Sequence, residues 1–462
     1  MSIVVPVRKS ATVNPLKQSA PLGAAMAYLG VEGAVPLFHG SQGCTAFALV
    51  LMVRHFKETI PIQTTAMNEV STILGGADHL EEALLNLKSR MKPKLIGIAS
   101  TALTETRGED MAGEVRTILK RRADDLAGTT VVYASTPDFT GALEEGWAKA
   151  TEAVIAGLVP ETRVAGADPL AVNILVGQHL TPGDIEAVRD LVESFGLTPT
   201  LLPDISLSLD GTVPDAWVPT SYGGTPLAAI GAMGRAAATF AIGEHMAAPG
   251  RLLADRTGVP LTVQPSLTGL EAADAFVAAL ARLSGRPVPE RQKRERSRLV
   301  DAMLDGHLIV GERKVAVAAE PDLLFAVTTL LAGLGARIVG AVSTAVGSRA
   351  LERIPAEEVL IGDLGDLERL AREGDADLIA THSHGRQAAE RLHRPHLRIG
   401  FPIFDRLGSQ HKVSVGYAGT RALMFEIANL FQAEHHAPSP AGLDPFRDRP
   451  VPAALSPEPR PC

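Results

Sequence analysis

The chain has 462 residues, enough for roughly three domains of about 150 residues each. Hydrophobic residues make up 46% and aromatic residues only 4%, a supply of small and aliphatic side chains that suits layered helix–sheet packing better than an aromatic-rich β-sandwich. A net charge of -8 with no strongly basic region argues against nucleic acid as a partner, and two cysteines exclude a disulfide framework.

In chain order, the N-terminus runs apolar first (residues 3–7) and basic second (Arg8, Lys9), the reverse of a secretory signal. HGSQGC (39–44) follows, with Cys44 between two apolar stretches. The apolar run 46–53 is far short of the ~20 residues that cross a bilayer, so a cytoplasmic chain without a membrane partner is expected. LIGIAS (95–100) and TVVYAS (130–135) read as buried parallel strands, and Met111, Val115, Ile118 and Leu119 carry helical spacing between them. VNILVG (172–177) opens a second unit. Thr181 is placed as an N-cap, Pro182 at the first helical position and Gly196 as a stop, before a strand at 198–204. A third unit has strands near 313–322, 336–344, 358–363 and 376–385, with a helix over about 323–334.

The expected fold class is therefore α/β, with three Rossmann-like domains whose parallel sheets are flanked by helices: 1–165 carrying Cys44, 166–299, and 300–436. Residues 285–298 read as a solvated linker and helix start. Residues 437–462 hold eight prolines and read as a disordered tail, which leaves Cys462 a poor ligand.

Cys44 is the one thiol of the folded body. Gly40 and Gly43 flank it, and glycine lets a backbone approach a bulky group. Thiolates hold iron–sulfur clusters, and a [4Fe–4S] cluster takes about four. If Cys44 is a ligand, the others belong to another polypeptide. Two other readings stand beside this one: a buried small hydrophobe, and a nucleophile with His39 or His55 as base. SYGGTPLAAIGAMG (221–234) opens a helix whose N-terminus suits an anion, but it matches neither GxGxxG nor a phosphate-binding GxxxxGK[ST] loop. His382 and His384 in THSHGR, followed by His393 and His396, admit a metal site, with a polar loop of surface histidines as the favoured reading. No CxxC, HExxH or GxSxG occurs, so the chain offers no self-contained catalytic constellation.

NPLKQSAPLGAAMAYLG (14–30), VPLFHGSQGC (35–44), RHFKE (54–58), TTAMNEVSTILGG (64–76) and RIGFPIFDRLG (398–408) together resemble the nitrogenase component 1 family, over nearly the whole chain except the tail. The family fold is three Rossmann-like α/β domains. It has two close β-type branches: the β subunit of the molybdenum–iron protein, which supplies three cysteines to an eight-iron cluster, and the subunit that pairs with NifE in a scaffold maturing the iron–molybdenum cofactor. Aligned with the β-subunit pattern, Ser19 and Ala102 stand where the first and third cysteines would be, and only Cys44 is kept.

The resemblance thus implies the scaffold branch. Cys44 would be the sole protein ligand given to a [4Fe–4S] cluster shared with NifE, in an α2β2 heterotetramer without independent activity. Gly40 and Gly43 would make room for the cluster, and Ser41 and Gln42 would donate hydrogen bonds to its sulfurs. It further implies a cofactor precursor delivered by NifB and held mainly by NifE, with the nitrogenase iron protein docking transiently. The alternatives are a β-type subunit of nitrogenase or of a nitrogenase-like tetrapyrrole reductase, and a stand-alone enzyme using Cys44 as nucleophile. The kept RIGFPIFDR segment speaks against the tetrapyrrole branch, which diverges more there.

Overall fold

The computed structural model describes residues 2–434 except 8, 10, 13, 69–75 and 107–109. The expected disordered tail, Cys462 and part of the 64–76 segment lie outside the described residues.

The described strands form three parallel sheets, giving the α/β architecture expected from the sequence. The first has the order β3-β2-β4-β5, with β2 at Ala34–His39, β3 at Gln63–Thr64, β4 at Leu95–Ser100 and β5 at Thr130–Ala134. Every residue of β2 and β4 is buried, which is why these central strands read as unbroken apolar runs rather than alternating ones. Their register runs from Ala34 opposite Leu95 to His39 opposite Ser100, so the loops that follow them emerge side by side. The second sheet has the order β7-β6-β8-β9, with β6 at Asp168–Leu175, β7 at Thr198–Leu202, β8 at Ala236–Ile242 and β9 at Leu261–Gln264. The helix after β6 spans Pro182–Glu193. Thr181 caps it by accepting from the Asp184 N–H, and Gly196 (φ +71°) turns the chain back toward β7.

The third sheet has the order β1-β12-β11-β10-β13-β14. Lys314–Ala318 is β10, Arg337–Ser343 β11, Glu358–Ile361 β12, Leu378–Thr381 β13 and His396–Arg398 β14. Its edge strand β1, Ile3–Pro6, comes from the other end of the chain: Ile3 pairs with Glu358 and Pro6 with Ile361. The first strand therefore belongs with the third sheet, not with the N-terminal unit in which residues 1–165 were grouped.

One core runs through the first two sheets. It is drawn tight where the helices Ala20–Leu29 and Leu143–Leu158 cross. A Cβ on Gly23 would lie 2.0 Å from the Leu143 carbonyl oxygen, and one on Gly146 would lie 1.8 Å from that of Ala20. Only glycine at both positions allows this approach. Trp147, fully buried beside Gly146, donates its indole N–H to the Val176 carbonyl at 2.8 Å and ties the second helix to the loop after β6.

The candidate cluster-ligand edge

The loop after β2 leads into the helix Gln42–Phe56, with Ser41 at its N-cap and Cys44 in its first turn. The Ser41 side chain makes no capping hydrogen bond. Its Oγ lies 3.5 Å from Cys44 Sγ instead. The first backbone N–H groups of an α-helix have no intrahelical acceptor, and their partial positive charge favours anions at this end. Gln42 and Gly43 are exposed and Cys44 is half-buried. A Cβ on Gly43 would meet nothing nearer than Ser41 Oγ at 3.8 Å, so this side is open. Gly40 is different. A Cβ there would come 2.3 Å from Thr101 Oγ1, so packing within the chain by itself requires glycine at this position.

At three-residue spacing after Cys44 come Phe47, 72% exposed, and Val50, 53% exposed, with Val53 also exposed. Residues three and four apart share a helix face. The thiol thus heads an apolar stripe that the described residues leave uncovered.

The loop after β4 carries Thr101, whose hydroxyl donates to the His39 carbonyl, and the short helix Ala102–Glu105. The Ala102 N–H donates to Asp138 Oδ2 at 3.3 Å, and Ser19, N-cap of Ala20–Leu29, lies near enough to the Asp138 carboxylate to lower its pKa. Burial raises the Asp138 pKa, while the Ala102 N–H, Lys17 and Ser19 pull the other way. The two positions without cysteine therefore meet at one half-buried carboxylate. The sequence reading missed Asp138; its only local signal is a place just after β5.

The nucleophile reading with His55 as base fails on geometry. His55 lies eleven residues further along the same helix, about 16 Å away, and its Nδ1 accepts from the Ile403 N–H at 2.8 Å. Burial lowers the His55 pKa to about 4. His39 is fully buried, with Nδ1 3.1 Å from Thr65 Oγ1. The contact of His55 with Ile403 also shows why RHF and RIGFPIFDR occur in one chain. Arg54 stacks over the Phe404 ring at 4.0 Å, and Phe401 packs edge-on against His55 at 4.8 Å.

The histidines of THSHGR are not surface residues. His382 Nε2 lies 3.1 Å from the Leu16 carbonyl, and its Nδ1 accepts from the His384 N–H. Burial lowers its pKa to about 3. With both ring nitrogens used by backbone groups, His382 is a satisfied core histidine and has no lone pair left for a metal. His396, also buried, bonds the Thr381 carbonyl. The glycines of 221–234 likewise serve the fold. Gly224 has φ +89°, and a Cβ on it would sit 2.8 Å from the Val31 backbone; the helix it was expected to open, Leu227–Ala232, has only six residues. The anion cradle expected there does not form.

No described helix is long and apolar enough to cross a membrane. The family model for nitrogenase component 1 type oxidoreductase matches residues 19–432. A protein of Mesorhizobium japonicum described as nitrogenase iron-molybdenum cofactor biosynthesis protein NifN is 59% identical over 454 residues, covering 98% of this chain and 97% of that one. A protein of the same description from Rhodobacter capsulatus is 53% identical and covers 100% of both. Among solved structures, a chain of "Nitrogenase Cp1 at pH 6.5" superposes with a TM-score of 0.87 at 28% identity, over 93% of this chain and 95% of that one. The chain belongs to the nitrogenase component 1 type oxidoreductase family.

Proposed function

We propose that the chain is the β-type subunit of a scaffold on which the iron–molybdenum cofactor of nitrogenase is matured, and that Cys44 gives one thiolate to a [4Fe–4S] cluster completed by an α-type partner of the NifE kind. The observation that carries this reading is the edge itself: one half-buried thiol at a helix N-terminus, with open space at Gly43 and an uncovered apolar stripe beside it. A cluster of this type takes about four thiolates, and Cys44 is the one free cysteine among the described residues, so the donor set fits a shared cluster and not a private one. The names of the relatives support the biosynthetic role.

When bound, the cluster would supply one-electron transfer. The chain's own part is to hold one sulfur at a fixed point, to offer the Ser41 hydroxyl beside it, and to exclude water once Phe47 and Val50 are covered. Localisation in the cytoplasm, a heterotetramer, NifB as precursor donor and transient docking of the nitrogenase iron protein belong to the same proposal.

The likeness to a solved nitrogenase chain favours a second reading, a subunit of the catalytic protein itself. Ser19 and Ala102, both beside Asp138 and offering no sulfur, weigh against it. The test is the complex with its α-type partner, wild type against Cys44→Ala. Loss of iron and of the reduced-cluster paramagnetic signal in the variant is expected. Unchanged iron and spectrum would overturn the assignment of Cys44, and reduction of dinitrogen by the wild-type complex would favour the second reading.

A further inference from the structure

Away from Cys44, the loops that follow strands of all three sheets converge on four metal-ligating side chains. Glu144 begins the helix after β5, His179 follows β6, His245 follows β8, and Asp322 begins the helix Pro321–Gly333 after β10. Each offers one ligand atom, and these atoms all lie within 4.8 Å of one another. The carboxyl ends of parallel strands are where α/β proteins bind ligands. Here three sheets supply such ends at one point.

The hydrogen bonds at this point are uneven, and the unevenness is informative. The Gln178 N–H donates to His245 Nε2 at 3.1 Å, which leaves the ring proton on Nδ1. His245 Nδ1 donates it to Asp322 Oδ2, which also accepts from the His245 backbone N–H at 3.2 Å. Glu144 Oε1 accepts from the Asp322 backbone N–H at 3.0 Å. Those bonds consume one oxygen of each carboxylate and both nitrogens of His245. Asp322 Oδ1 and His179 Nδ1 are buried with no hydrogen-bond partner, although the Asp322 side chain is completely inaccessible to solvent. A buried polar atom without a partner costs about 1–3 kcal/mol, more if it is charged, so two in one cluster call for something that binds both. Glu144 Oε2, 3.8 Å from His245 Nδ1, is the third open donor.

We propose that Glu144, His179 and Asp322 bind one divalent first-row transition-metal ion, with His245 as a positioning residue that fixes the Asp322 carboxylate. One imidazole nitrogen and two carboxylates make a mixed set that suits Fe²⁺, Mn²⁺, Co²⁺ or Zn²⁺ rather than the all-oxygen sites of Ca²⁺. Two carboxylates balance the charge of the ion. Ligating carboxylates are usually hydrogen-bonded themselves, and His245 gives Asp322 that support.

The surroundings fit the same reading. Gly243, at φ +95°, lets the backbone pass Asp322; a Cβ there would lie 2.6 Å from Oδ2. Gly177 plays that part for His179, whose ring a Cβ would meet at 2.7 Å. The bond from Trp147 to Val176 holds the His179 loop against the Glu144 helix. Glu144 and His245 line a cavity of about 660 Å³, and His179 lines a second of about 260 Å³, which give an ion a way in. The bound ion would link elements of all three sheets.

The site is independent of Cys44, and its test is run in that background. The full chain carrying Cys44→Ala, in complex with its α-type partner, is stripped with a chelator and titrated with Co²⁺, Zn²⁺, Mn²⁺ or Mg²⁺ alone. We expect one equivalent of Co²⁺ per chain with an optical spectrum of nitrogen and oxygen ligation, and a rise in Tm with Co²⁺ or Zn²⁺ that Mg²⁺ does not reproduce. His179→Gln and the near-isosteric Glu144→Gln should abolish the signal, and His245→Ala should weaken binding about 10–100-fold. Glu144→Gln keeps the test decisive if His179→Gln does not fold. No saturable Co²⁺ binding, or binding undiminished in a folded Glu144→Gln protein, would overturn the proposal.

Discussion

The Cys44 helix and the junction of the three sheets are built in opposite ways. At the helix, a single donor stands at an open rim: Gly43 faces empty space, Phe47 and Val50 are bare, and nothing among the described residues completes the site. At the junction, Glu144, His179 and Asp322 come together within the fold, and His245 already holds the Asp322 carboxylate. The difference teaches where each site gets its order. On the proposed reading another chain covers the rim, so its chemistry would be tied to assembly. The junction is ordered by folding alone, and removing one of its members leaves the rest buried and mismatched.

The comparison predicts that interior changes damage the chain while rim changes damage only the complex. The largest effect on stability is expected at Arg398. Burial pushes the Asp405 carboxyl up, but Arg398, at 2.7 Å, and the Ser383 hydroxyl outweigh it and hold it at about 2. Both side chains are only 10% exposed, so Arg398→Ala leaves the half-buried Asp405 carboxylate with the Ser383 hydroxyl but no cation at its side and should cost about 2–3 kcal/mol, read by denaturant unfolding at pH 7. A depressed carboxyl pKa stabilises above the ordinary range near 3.9 and loses that contribution as pH falls toward 2, so the deficit should shrink in acid. An undiminished midpoint would show that the 398–408 segment is not held by this pair.

At the rim, Phe47→Asp should leave the unfolding midpoint of the chain within about 0.5 kcal/mol, as exposed positions usually do. It should weaken association with the α-type partner by about 2 kcal/mol or more if this stripe is the centre of the interface. Equal affinity of variant and wild type in a binding titration would move the interface elsewhere.

A smaller effect, in the metal-free chain, sharpens the other side. Burial, then the neighbouring Asp322 and Glu320 charges, raises the Glu144 pKa well above the ordinary carboxyl value. A raised carboxyl stabilises the fold below its unfolded pKa and loses that stability as pH rises. Glu144→Gln removes the pH-dependent loss, so its Tm relative to wild type should rise from pH 5 to pH 8. A constant difference across that range would mean the carboxyl ionises freely where it lies.

The strands of the sheets were readable because central parallel strands are apolar along their whole length and end at Gly, Pro or a capping residue: β4 begins and ends at the residues marked for it, and the Thr181 cap and Gly196 stop stand where they were placed. Strand β1 was not readable, because its only partner is β12, at the far end of the chain. Burial of His382 was missed for the same reason: the acceptor for its Nε2 is the Leu16 carbonyl, brought back from the N-terminal segment. Cys44 was legible through composition, since it is one of two cysteines. The junction was not, because Glu144, His179, His245 and Asp322 are each unremarkable and far apart in sequence. A shared sign exists, however. His179, His245 and Asp322 each lie three or four residues past a strand end, and Gly177 and Gly243 precede the two histidines.

The most direct test of the central claim is the iron content and paramagnetic resonance of the anaerobically purified chain, alone and co-expressed with its α-type partner. The shared-ligand account predicts a reduced [4Fe–4S] signal that appears only with the partner and is lost in Cys44→Ala. Cluster iron held by the isolated chain, or a complex whose signal is indifferent to Cys44, would contradict it.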